Sequence, residues 1–266
     1  MKRKKNYKLI IAVLTAVAVI EAIFIFVLWQ ARPPKPGIKK ARPVLKGKIA
    51  IVIDDFGYNL NNLGILEEIK YPLTASVLPN LQYSEGISAA LHGLGFEVIL
   101  HLPMEPYENF RLEKETIKTS MDETQIINII GKSLSNVVHA VGVNNHMGSK
   151  ATSDKRVMGI TFKYLKSKGL YFLDSFVTPK SICPETAKKT GVGFTRRDVF
   201  LDNNASPEYI RGQLQKLKTK ARLKGKAIGI GHDRRNTLLT IKEIMPEFSR
   251  EGYQFVFVSD IINDRN

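Results

Sequence analysis

The chain has one cysteine, Cys183, one tryptophan, Trp29, and five histidines in 266 residues. A single thiol excludes an internal disulfide and a thiolate metal cluster, so Cys183 is expected to pack as an inert side chain. Acidic residues are scarce as well, 25 against 40 basic ones, which leaves a formal charge of +15. An excess of that size suggests a nucleic-acid partner, but its distribution speaks against one. Residues 1–48 carry twelve basic side chains and one acid, Glu21, and so account for +11 of the excess. Repeats with a period of about 20 to 50 residues are also lacking, which argues against a solenoid.

The basic start brackets an apolar run over residues 9–29 whose only charge is Glu21. Its length matches the roughly 20 residues that a helix needs to cross a bilayer, and exceeds the 7 to 15 or so of a cleavable signal's apolar region. The spacing predicts a basic cytoplasmic tail over 1–8, a transmembrane anchor over 9–29, a Pro/Lys-rich linker over 30–46 and a globular body over 47–266. Lysines ahead of the run keep the N-terminus inside by the positive-inside rule. The expected placement is a single pass through the cytoplasmic membrane, with the body extracytoplasmic, periplasmic or at the cell surface. Anionic lipid accounts for the basic residues beside the run, and nucleic acid is not an expected partner.

From Lys48 onward short apolar runs alternate with amphipathic stretches, the pattern of βα units around a parallel sheet. Strands are predicted over 49–53, 75–78, 97–101, 140–144, 171–174, 199–201, 227–230 and 255–258, and helices over 61–69, 83–94, 123–135, 155–168, 207–224 and 237–250. Ser153-Asp154 and Ser206-Pro207-Glu208 mark helix starts, where free N–H groups need acceptors. The fold class expected is α/β, a distorted or incomplete (β/α) barrel of seven to eight strands.

Polar residues fall at the predicted strand ends: Asp54-Asp55, Pro79-Asn80, His101, Asn144-Asn145-His146, Asp174-Ser175, Asp202-Asn203 and His232-Asp233. Ligands of parallel α/β folds bind at the carboxyl ends of strands, where loops from several strands converge. One such residue reads equally well as a turn former or a cap; seven strand ends of this kind read as one polar rim. Adjacent Asp54 and Asp55 should point to different sides of the chain, one toward a cation and the other toward water or substrate. Imidazole with carboxylate is a ligand set for zinc, and His101, His146 and His232 are three of only five histidines. His92 and His139, in a helix and just before a strand, are expected to be structural or solvated.

Ile53-Asp54-Asp55-Phe56-Gly57 resembles the Phe-Asp-Asp-Gly motif that opens polysaccharide deacetylases, in which the first Asp is the general base and the second a metal ligand. His101-Leu102-Pro103-Met104-Glu105 resembles their second motif, and Ile230-Gly231-His232 their Leu-x-His motif, which supplies the general acid. With Asn144-Asn145-His146-Met147-Gly148-Ser149 and Arg197-Asp198-Val199-Phe200-Leu201-Asp202, the set is similar to the divergent polysaccharide deacetylase family over residues 47–262. Glu105 stands where the main family has its second ligand histidine. The Arg-Pro-Tyr motif is missing, and of Asp-x-x-Asp-Trp only Asp174 remains.

The resemblance implies a hydrolase that removes acetyl groups from a polysaccharide, with one divalent ion, zinc by preference, on Asp55, His101 and either His146 or Glu105. His146 is preferred because it keeps an Asp-His-His set. Asp54 is then the base and His232 the acid, with Asp174 orienting His232. Asp202, Arg197 and Asn145 are further candidates for substrate contact or for shaping the rim. The rival expectation is an inactive carbohydrate- or peptidoglycan-binding module on the same scaffold, since a fold can persist while its function changes.

Overall fold

The computed structural model describes residues 3–31 and 45–264. Most of the expected linker, residues 32–44, lies outside them. The chain divides into two units, Met1–Arg42 and Pro43–Asn266. The first contributes one helix, α1 (Arg3–Gln30). Over Tyr7–Gln30 its mean hydropathy is 2.9 and none of it is buried, so it is long and apolar enough to cross a membrane, as a signal or as an anchor.

The second unit runs β1 (Gly47–Phe56), α2 (Leu63–Glu67), β2 (Thr74–Val77), α3 (Ser84–Gly93), β3 (Glu97–Met104), α4 (Glu123–Asn136), β4 (Gly142–Met147), α5 (Lys155–Ser167), β5 (Tyr171–Asp174), α6 (Cys183–Thr190), β6 (Phe194–Arg196), β7 (Val199–Phe200), α7 (Pro207–Lys224), β8 (Lys226–His232), α8 (Arg235–Arg250), β9 (Tyr253–Phe255) and α9 (Val258–Asn263). Helices begin where a side chain can accept their free N–H groups. Asp122 accepts from Gln125, Asp154 from Val157 and Ser206 from Tyr209.

Eight strands follow the order β6-β5-β4-β3-β2-β1-β8-β7, and β9 pairs with the start of β1. All the pairings are parallel. This is the incomplete α/β barrel that the sequence predicts. Its two edges, β6 and β7, are consecutive in the chain yet share no ladder, and residues 197 and 198 bridge them. Arg197 N–H donates to Asp174 O of β5 at 3.0 Å, and Asp198 N–H to Ile228 O of β8 at 2.8 Å, so each continues the pairing of one edge strand with its inner neighbour.

Side chains alternate across the strands. Ile49, Ile51 and Ile53 join the large core between sheet and helices, whereas Ala50 and Val52 turn inward to a second cluster with Ile99, Leu173, Ile228 and Ile230. Val258 and Ile261 of α9 belong to this inner cluster. Each fully buried aliphatic side chain of this kind contributes about 1.5–3 kcal/mol.

The end of the chain departs from expectation. Residues 255–258 were expected as a strand, but β9 stops at Phe255 and α9 starts at Val258. The buried Glu97 carboxylate accepts from the N–H groups of Val258 and Ser259 at 3.1 and 3.4 Å, which turns the chain inward as a helix. Helix α2 covers only part of 61–69, and α6 and β6 were not anticipated. Each is short, and α6 offers few apolar residues to set a period.

Candidate metal centre

The inward face that carries Ala50 and Val52 on β1 continues to Asp54, which is 2 % exposed. In the same way His101 follows Ile99 on β3 and His232 follows Ile230 on β8. The polar residues thus form the last layer of the barrel interior, at the carboxyl ends of the strands. Asp55 breaks the alternation. Its φ is +69°, and the β1–β2 register shifts between Ile53 and Phe56. Both carboxylates therefore converge on one imidazole instead of pointing to different sides: Asp54 Oδ2 lies 3.7 Å and Asp55 Oδ1 3.2 Å from His101 Nε2.

Asn144 organises this layer. Ser76 Oγ donates to its Oδ1 at 2.6 Å, and its Nδ2 donates to Asp54 Oδ1 at 2.8 Å, which fixes the amide's orientation. The same Oδ1, 2.8 Å from His101 Nδ1, can only accept, so the ring proton sits on Nδ1. Nε2 is left as the atom that takes a second proton or a cation. Positive charge is favoured there. Burial opposes it, but the Asp54 and Asp55 carboxylates raise the pKa of His101 to about 9. Burial in turn raises the pKa of Asp54, and the nearby His101 only partly offsets it. For Asp55 burial acts the same way, but the two imidazoles outweigh it and hold its pKa well below the usual carboxylate range.

Asp55 Oδ1, His101 Nε2 and His146 Nδ1 face one another at 3.1 to 3.3 Å. Asp55 Oδ1 is buried and receives no hydrogen bond. Two ligands of a tetrahedral ion, each bonded at about 2.0–2.1 Å, stand roughly 3.3 Å apart. The three donors fit that spacing, and the group could hold a metal ion.

The remaining candidates divide. The Glu105 carboxylate accepts from Thr119 N and Oγ1 at 2.6 and 2.7 Å and from Lys150 Nζ at 2.8 Å, so its oxygens are engaged away from the Asp-His-His group. Asp174 accepts from Phe176 N at 2.8 Å and Ser181 Oγ at 2.7 Å and does not bond His232. The carboxylate at His232 is Asp202, expected only as a possible contact: its Oδ1 is 2.8 Å from His232 Nδ1, and its Oδ2 accepts from His232 N and Thr237 Oγ1. Asp202 is fully buried. For His232, burial disfavours the charged ring, but Asp202 outweighs it and the pKa is raised. Arg197 donates to the carbonyls of Ser175 and Phe176 at 2.6 and 2.8 Å. Asn145 is tied to Ser175 N and Met147 O. His92 and His139 are both exposed and stack on each other with ring centroids 4.0 Å apart.

Sequence reasoning placed Asn144 on the rim but gave a role to Asn145 instead, and it missed Ser76. The signal for Asn144 was present, because two-residue alternation places Asn144, not Asn145, on the face of His146.

An open parallel α/β barrel whose strand ends gather an Asp-His-His group beside an Asp–His pair defines a scaffold with a candidate metal site. The chain belongs to the divergent polysaccharide deacetylase family, whose model matches residues 51–262. It is 38% identical over 203 residues to the uncharacterized protein YibQ of Escherichia coli (strain K12), a match covering 76% of this chain and 64% of that protein. The chain therefore spans less than two thirds of the length of that relative. Among solved structures it is similar to the uncharacterized protein ATU2773 of Agrobacterium tumefaciens C58, with a TM-score of 0.77, 22% identity and 86% and 92% of the two chains covered. It also shares its fold with a BA3943 mutant, described as a CE4 family pseudoenzyme with restored enzymatic activity (TM-score 0.52, 11% identity, 83% and 68% covered). The fold is thus one that this CE4 family protein shares.

Proposed function

We propose that the chain is a metal-dependent hydrolase that removes acetyl groups from an envelope or extracellular polysaccharide. The observation that carries this reading is Asp55 Oδ1, buried without a hydrogen bond between His101 Nε2 and His146 Nδ1. Those three residues would hold one divalent cation, zinc by its preference for N and O donors in this geometry. A cation held by them would supply Lewis-acid polarisation of the acetyl carbonyl and would make a water easier to deprotonate.

The protein's own groups handle the protons. Asp54, with its pKa raised by burial, takes the proton of the attacking water as general base. Asn144 Nδ2, 2.8 Å from Asp54 Oδ1, keeps that carboxylate aimed. His232 carries a proton on each ring nitrogen in its charged form: Nδ1–H is held by Asp202, and Nε2–H passes to the leaving amine or alkoxide as the bond to the acetyl carbon breaks. Acetate and a free amine or hydroxyl result. On this proposal the N-terminal helix is an uncleaved anchor and the body works outside the cytoplasmic membrane, next to its glycan; the long apolar span over Tyr7–Gln30 supports that reading.

A second reading, a glycan-binding module without activity, is favoured by Glu105, which occupies the family's second histidine position and is bound to Lys150 and Thr119. Acetate release from a panel of N- and O-acetylated glycans, with metal content measured on the same protein, separates the two. Release that stops on chelation and returns with added zinc supports the hydrolase. Metal-loaded protein that binds glycan and releases nothing supports the module.

A further inference from the structure

Two residues of the run Arg197-Asp198-Val199-Phe200-Leu201-Asp202 bear on His232, and only one of them is a hydrogen-bond partner. Asp202 holds Nδ1 at 2.8 Å. One bond of that kind fixes the place of a ring atom but does not by itself set the tilt of the ring, which can still pivot about its bond to Cβ within the reach of that contact. Phe200 removes this freedom. Its ring lies parallel to the imidazole within 7°, with centroids 5.6 Å apart, an offset stack.

Phe200 is itself backed. The Arg197 guanidinium lies 4.0 Å from the centroid of the Phe200 ring. Two of its nitrogens are held by main chain: Nε donates to Ser175 O and Nη2 to Phe176 O. Phe176 has φ +49°, a left-handed conformation that a bulky side chain adopts only when its surroundings hold it. The Asp174 carboxylate on its N–H and Arg197 on its carbonyl supply that hold. Ser175 also meets Asn144, whose Nδ2 lies 3.4 Å from Ser175 Oγ. A continuous set of contacts therefore runs from His232 through Phe200, Arg197 and Ser175 to Asn144, the residue that aims Asp54 and His101.

We propose that Phe200 is a positioning residue for His232, fixing the plane of its imidazole, and that Arg197 locks Phe200 to the loop after β5. The proposal extends the assignment of His232 as the acid, so its test includes a readout that needs no turnover. Diethyl pyrocarbonate, which acylates unprotonated imidazole nitrogen, is applied to the full chain in detergent, with mass spectrometry to follow each histidine. In Phe200→Leu, which keeps an apolar side chain without a flat face, His232 should be modified several-fold faster, and His92 at its original rate. Phe200→Tyr, which restores a ring, should return the His232 rate to that of the parent protein.

Turnover adds the second readout. Misplacing a catalytic group by about 1 Å can cost on the order of 10²-fold, so Phe200→Leu should lower kcat by about 10- to 100-fold with KM within about twofold. Arg197→Lys keeps the charge but cannot reach both carbonyls in the same way, and should show the same signature more weakly; it serves as the test if Phe200→Leu does not fold. Modification and turnover in Phe200→Leu, or in its absence Arg197→Lys, that stay within about twofold of the parent protein would overturn the proposal. Absence of acetate release from the parent protein defeats the hydrolase reading alone, because the modification rates still report whether Phe200 holds the ring.

Discussion

Asp54 and His232 occupy the same rung of the ladder between β1 and β8. Neighbouring strands stand about 4.7–4.9 Å apart, so the proposed base and acid face the barrel interior side by side on rigid backbone, not on loops. Asn144 and Asp202 then aim one each.

Asp54→Asn keeps the shape of the site and leaves the three metal donors in place, but it cannot accept a proton. Turnover should fall by about 10²- to 10⁴-fold while metal content stays near that of the parent protein. His232→Ala should lose a comparable factor, and the double variant should lose much less than the product of the two, because both groups serve one reaction sequence. Parent-level acetate release by either single variant with metal bound would reassign the roles.

The pH profile follows from the raised pKa of His232. Its protonated form does the work while Asp54 must be ionised, so activity is bounded on the acid side by Asp54, whose pKa burial raises, and falls on the alkaline side as pH rises through the pKa of His232. Burial disfavours the charged ring, and the Asp202 carboxylate more than restores it, which puts the alkaline limb above the ordinary histidine value of 6.5. Asp202→Asn removes that charge and should move the limb to lower pH. A kcat–pH profile with an unmoved limb would separate Asp202 from the acid.

Metal content should depend on His146 and not on Glu105. His146→Ala removes one of three mutually facing donors and should leave little bound zinc after dialysis. Glu105→Gln acts on a carboxylate held by Thr119 and Lys150, and should keep its metal; His92→Ala is expected to do the same. Elemental analysis of the purified variants reads this directly, and loss of metal in Glu105→Gln with retention in His146→Ala would exchange the two assignments.

Removal of residues 1–44 should give a folded, soluble body, since both hydrophobic cores lie within residues 49–261. Cooperative thermal unfolding without detergent is the expected result. Aggregation under conditions where the full chain unfolds cooperatively would show that the boundary lies elsewhere.

Much of this architecture is legible from local signals. A run of apolar residues long enough to cross a bilayer, alternation of period two in β1 and β8, and capping residues at 154 and 206 each depend on near neighbours in the chain, so most of the longer elements and the strand-end positions of Asp54, Asp55, His101, His146 and His232 can be read without coordinates, while α6, β6 and α9 cannot. The residues that hold the rim in place follow a different logic. Asp202 and not Asp174 meets His232 because β7 pairs with β8 while β5 pairs with β6 and β4, an order that composition does not encode. Glu105 turns to Lys150, 45 positions away. Asp55 joins Asp54 at one imidazole only because its backbone takes a positive φ at an irregularity in strand register. Residues 256–258 leave the sheet because a carboxylate 161 positions earlier caps the helix that begins there. Periodicity tells which face of a strand a residue occupies; which partner waits on that face depends on how distant strands close into a barrel, and burial makes each such partner costly to leave unmatched.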